Sequence, residues 1–79
     1  MYSGYKVISC KQELISILNK MKKLGYRWGS GEPLDNSNEI RSLMNTYKIG
    51  EFALVFSRDT KQIFYCRKAH VQYLNIEGQ

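Results

Sequence analysis

Glu51-Phe52-Ala53-Leu54-Val55-Phe56-Ser57, Ser57-Arg58-Asp59-Thr60-Lys61, then Gln62-Ile63-Phe64-Tyr65-Cys66: two apolar runs flank one polar turn. β-Branched and aromatic residues dominate both runs, and the turn between them is charged. The pattern predicts strands over 51–57 and 62–66, joined as an antiparallel hairpin. Phe52, Leu54 and Phe56 then share one face, and Ala53 and Val55 share the other. Both faces are apolar, so both need cover. A long helix can take one of them. The other needs the 38–45 segment, the C-terminal tail, a second subunit or a ligand.

Working outward, the helix is found upstream. Leu14, Ile17, Leu18, Met21 and Leu24 or Gly25 recur at three- and four-residue steps, which makes one buried stripe. Ser9 stands three residues before Gln12, the spacing of a capping box. Lys20, Lys22 and Lys23 fall at the end, where cations suit the helix dipole. Gly25 suits the left-handed position after a helix. The spacing predicts a helix over 10–24. Tyr5–Ile8 reads as a first short strand and Tyr26–Trp28 as an extended segment. Ile40, Leu43 and Met44 predict a second, short helix over 38–45, after a looser stretch around 32–39. Val71–Ile76 reads as a final edge strand or an extended arm. The sum is one α+β domain over 1–79: a small, mainly antiparallel β-sheet with one main α-helix packed across it and a second short helix.

The chain has 79 residues, enough for a single domain with a thin core. Two cysteines, Cys10 and Cys66, make no disulfide framework, and neither a CxxC pair nor a ligand-rich neighbourhood of His70 exists. No metal and no cofactor are expected. The formal net charge is +5, from 12 Lys and Arg against 7 Asp and Glu. That balance favours anionic partners. No apolar run approaches the roughly 20 residues that span a bilayer, and no signal segment opens the chain. The expected setting is cytoplasmic, with reduced thiols and no membrane partner.

Leu24-Gly25-Tyr26-Arg27-Trp28-Gly29-Ser30-Gly31 gathers the only Trp, an Arg and three of the six glycines. On a strand, Tyr26 and Trp28 share a face and Arg27 takes the other. Trp28 serves either as a stacking platform for a base or as the largest core residue. Gly29-Ser30-Gly31 offers flexible amides to a phosphate but lacks the P-loop pattern. Arg67, Lys68 and His70 follow the second hairpin strand. With Arg58 and Lys61 they make either a phosphate-binding rim or a solvated edge that resists aggregation. Cys66 and His70 lie near each other in sequence, but a cysteine nucleophile also needs an oriented base and an oxyanion site. The carboxylates are scattered, with no recognisable acid–base pair.

The order of a short strand, a helix ending in Leu24-Gly25 and then Tyr26-x-Trp28-x-Ser30-Gly31 resembles small accessory proteins of tailed bacteriophages. The later hairpin and Tyr73-Leu74-Asn75-Ile76 fit the same layout. The resemblance implies a protein acting inside an infected bacterium. Such proteins include antagonists of host defence, some of them oligomeric sponges for cyclic nucleotide or cyclic ADP-ribose signals. Others bind RNA, DNA or a defence enzyme. The resulting expectation is a non-enzymatic, homo-oligomeric protein that sequesters an anionic nucleotide immune signal. Its expected ligand-binding residues are Tyr26, Arg27, Trp28, Arg67, Lys68 and His70. The alternatives are an inhibitor that binds a host defence protein or RNA through a basic surface, and a small hydrolase or nuclease.

Overall fold

The computed structural model describes residues 2–77. In chain order the elements are β1 (Gly4–Val7), α1 (Lys11–Lys23), β2 (Arg27–Trp28), α2 (Ser37–Thr46), β3 (Phe52–Ser57), β4 (Gln62–Arg67) and a 3-10 helix (Lys68–Tyr73). One four-stranded sheet has the order β1-β3-β4-β2. β3 pairs antiparallel with β1 and with β4, while β2 runs parallel to β4. The architecture is the expected α+β one. No helix among the described residues is long and apolar enough to cross a membrane.

Helix α1 starts one residue later than the Ser9–Gln12 spacing predicts. Cys10 is the N-cap, and its Sγ accepts the Glu13 amide at 3.4 Å. Glu13, not Gln12, reaches back: its Oε1 accepts the Ser9 N–H at 3.0 Å and the Ser9 hydroxyl at 3.3 Å. Glu13 has the same reach as Gln12 but brings a charged acceptor to the Ser9 donors, and cysteine stands where an oxygen cap normally sits. The far end is a Schellman motif. Gly25 has φ +89°, its N–H donates to Lys22 O, and the Tyr26 N–H donates to Met21 O.

This cap predicts a pH response. The Ser9 backbone N–H holds the Glu13 carboxyl below its ordinary range, with Lys6 adding a smaller pull. A depressed carboxyl contributes stability above its unfolded pKa and loses it as pH falls through the folded pKa. Stability should therefore decline as acid protonates Glu13, below about pH 4. Glu13→Gln should flatten that slope in urea melts run across the acid range. An unchanged slope would remove Glu13 from the account.

The register fixes two faces. Phe52, Leu54, Ile63, Tyr65 and Trp28 lie on the face beneath both helices, packed with Leu14 and Leu18 of α1 and Leu43 of α2. α2 starts at Asn36, whose side chain accepts the amides of Asn38 and Glu39. The opposite face carries Tyr5, Val7, Ala53, Val55, Phe64 and Cys66. Ala53 and Val55 are buried there too.

The C-terminal segment contributes to this second face, but not as an edge strand. Residues 68–73 coil into the 3-10 helix, and only Ile76 makes a bridge, parallel to Tyr2. Three residues per turn puts Val71 and Leu74 in one line and His70 and Tyr73 in another. The first line is half-buried and the second is exposed. A period of two and a period of three both fit Val71-Gln72-Tyr73-Leu74, and the need to cover the sheet selects the three.

Candidate functional site

The sequence places Arg27 and Trp28 beside Arg67 and Lys68 only if the strands align end to end, and they do not. Arg27 pairs with Gln62, at the start of β4, whereas Arg67 closes that strand. The two arginines are thus separated by five residue steps of β4, roughly 16 Å. The expected six-residue site is divided between opposite ends of the sheet.

The first half is structural. Trp28 is 1% exposed and sits edge-on to Tyr65, with ring centroids 5.7 Å apart. Tyr26 is buried, and the Lys61 ammonium lies 5.0 Å from its ring centroid. Neither ring offers a free face to a base, which corrects the stacking reading in favour of the core one. Arg27 lies on the opposite face of the sheet and donates from Nη1 to Gly31 O at 3.2 Å, tying down the turn.

The glycine turn is not a phosphate cradle either. The Gly29 N–H donates to Ile63 O at 2.9 Å and the Gly31 N–H to Trp28 O at 2.8 Å. The Ser30 hydroxyl donates to Glu39 Oε1 at 3.1 Å. Gly29 is required by space: a Cβ there would run into the Phe64 ring. Arg58 and Lys61 stand at the hairpin turn, away from Arg67. Arg58 is paired with Glu77 at 3.3 Å.

The second half forms a site. An open groove of about 1040 Å³ lies where β1 and β4 end and β3 begins, walled by the 3-10 helix. Tyr5, Val7, Glu51, Arg67, Lys68 and Gln72 give it its chemistry. The Lys68 N–H donates to Glu51 O at 2.8 Å, which sets the two cations beside the start of β3. Arg67 and Lys68 have no carboxylate partner among the described residues. The volume lies at the upper end of small-molecule sites. The arrangement provides two cations, a carboxylate, an amide and two tyrosines, of which Tyr47 is packed on Phe52 and Tyr65 and Tyr5 is 40% exposed.

His70 is not part of the groove wall. Its ring meets Tyr73 edge-on, at 6.4 Å between centroids, on the outer line of the 3-10 helix. Burial pushes the Cys66 thiol up, which keeps it protonated and works against a nucleophilic role. Both cysteines are free thiols. No group of three or more His, Cys, Asp or Glu among the described residues is placed to hold a metal ion.

Tyr5, Tyr47, Glu51 and Gln72 are the polar and aromatic groove residues that sequence reasoning missed. Period-two alternation puts Tyr5 and Val7 on one face, and that signal was present. What joins them to Arg67 is the pairing of β1 with β3 and of β3 with β4, which no local pattern encodes. Comparison of the chain with protein-family models, with curated proteins and with solved structures gave no match.

Proposed function

We propose that this chain is a non-catalytic bacteriophage protein that sequesters a small anionic nucleotide and so blocks a host immune signal. The observation that carries this reading is the pair Arg67 and Lys68, free of carboxylate partners among the described residues, at the end of a groove of about 1040 Å³. A phosphate needs positioned cations, and Arg supplies a two-pronged fork. Tyr5 supplies a π-face for a base. The resemblance to phage accessory proteins supplies the setting, the host cytoplasm, and the expected homo-oligomer. The test is mass spectrometry of small molecules released by heat from protein purified out of defence-activated cells, with the assembly mass taken by light scattering. A stoichiometric, chemically unchanged nucleotide is the expected result. Protein that carries none, and takes up none from a nucleotide mixture, would end this reading.

A second reading rests on α1. Among its exposed side chains Lys11 neighbours Ile15 at the start, and Lys20 and Lys23 neighbour the C-cap Leu24 at the end; Ile15 and Leu24 are 37% and 53% exposed. Cations around exposed aliphatic side chains suit RNA or an acidic host defence protein. Recovery of such a partner with the wild-type chain, lost on replacing those lysines, would favour this surface over the groove.

A further inference from the structure

We infer that Glu51 makes the groove selective for ribonucleotides, its carboxylate accepting hydrogen bonds from the sugar hydroxyls. The inference rests on the nucleotide reading of the groove. It starts from an oddity of charge. A site for an anion has an exposed carboxylate in its wall, next to its own cations. Glu51 forms no ion pair with Arg67 or Lys68, and its side chain has no hydrogen-bond partner among the described residues. The cations therefore stay available for phosphate, and the carboxylate stays available for something else.

An ionised carboxylate only accepts hydrogen bonds, and it repels phosphate. It must face a donor on the ligand. Two parts of a nucleotide present a pair of neighbouring donors: the ribose 2′,3′-diol and the guanine N1–H and N2–H edge. Position separates them. Glu51 and Lys68 are joined by a backbone hydrogen bond of 2.8 Å, so Glu51 is the next group along from the phosphate cations. In a 5′-nucleotide the sugar comes directly after the phosphate, and the base lies beyond it. The groove continues to Val7 and Tyr5 on β1; Tyr5 lies two strand spacings across and three residue steps along from Arg67, roughly 14 Å between backbones, a span the long Arg67 and Tyr5 side chains shorten. Of the two tyrosines in the groove, Tyr47 packs its ring against Phe52 and Tyr65, which leaves the base to Tyr5, whose exposed ring can stack. A carboxylate on ribose hydroxyls is also how dinucleotide-binding folds read the same sugar.

The probes are AMP, 2′-deoxy-AMP, 3′-deoxy-AMP and GMP, measured by isothermal titration against the full chain and Glu51→Gln. Glu51 is exposed and its backbone carbonyl makes the contact to Lys68, so the variant keeps the fold; a matching thermal melt checks this. The wild type should bind AMP at least about tenfold more tightly than either deoxy form, the loss expected for a hydrogen bond to a charged group. Glu51→Gln should shrink that preference to about twofold or less, without weakening 2′-deoxy-AMP. Equal binding of AMP and both deoxy forms overturns the inference and leaves the nucleotide reading standing. So does a preference that survives in Glu51→Gln. A preference for GMP over AMP that Glu51→Gln abolishes, with the sugar indifferent, assigns Glu51 to the guanine edge and overturns the ribose assignment. If none of the four binds the wild type, this inference fails, and the nucleotide reading falls with it when the protein also takes up none from a nucleotide mixture.

Discussion

Trp28→Ala should destabilise the fold by about 3–5 kcal/mol, the cost of deleting a large buried aromatic. Trp28 is 1% exposed, on the short strand β2 that closes one end of the sheet, and its ring meets Tyr65 edge-on. Small domains have roughly 5–15 kcal/mol of total stability, so a loss of this size removes a large part of it. Trp28→Phe should be much milder. The indole Nε1–H is buried with no partner among the described residues. An unmatched donor already costs roughly 1–3 kcal/mol, and phenylalanine removes that donor while filling most of the space. Urea melts of the two variants measure both effects. A midpoint for Trp28→Ala equal to the wild type, coupled with lost nucleotide binding, would return Trp28 to the role of a stacking platform.

That contrast marks what a sequence of this kind reveals. Alternation put Tyr26 and Trp28 on one face and Arg27 on the other, as found. It could not say which face lies under the helices, because that depends on β2 pairing with β4, where Arg27 meets Gln62 and Trp28 meets Ile63 across a long stretch of chain. The stripe of Leu14, Leu18 and Met21 was legible because the helix makes its own contacts every three or four residues. The hairpin was legible because its turn is local. The cap shifted by one residue because Cys10 is a weak match to any capping pattern, whereas the carboxylate that completes it is three residues further on, at Glu13.

The candidate site follows the same division. Arg67 and Lys68 were visible as cations in sequence, and so was the excess of positive charge that makes an anion a sensible ligand. Their neighbours were not visible. Tyr5 reaches the groove through its pairing with Val55, and Glu51 through its backbone contact to Lys68. The 3-10 helix that walls the groove has too few residues to show a stripe. Cover for Ala53 and Val55 was required by the apolar pattern of β3, but the pattern could not name what supplies it.

The double variant Arg67→Ala/Lys68→Ala should abolish most nucleotide binding while Arg27→Ala leaves it intact. Both groove side chains are exposed, so their loss leaves the core untouched. Each contact to a phosphate is a hydrogen bond to a charged group, worth roughly 1.5–3 kcal/mol, so two together predict a loss of about 100-fold or more. Solvent screens exposed cations, which places the effect toward the lower end and makes it depend on salt. Wild-type affinity should fall as sodium chloride rises, and the double variant should show a flatter dependence. Arg27→Ala is the matched control: it removes one positive charge at the Gln62 end of β4, roughly 16 Å from Arg67 along the strand. It frees the Gly31 carbonyl and loosens a turn, but takes nothing from the groove. Titration of AMP into the three proteins at two salt concentrations separates local binding from bulk charge. If Arg27→Ala weakens AMP as much as the groove variant does per charge removed, binding follows net charge alone. The groove is then not the site.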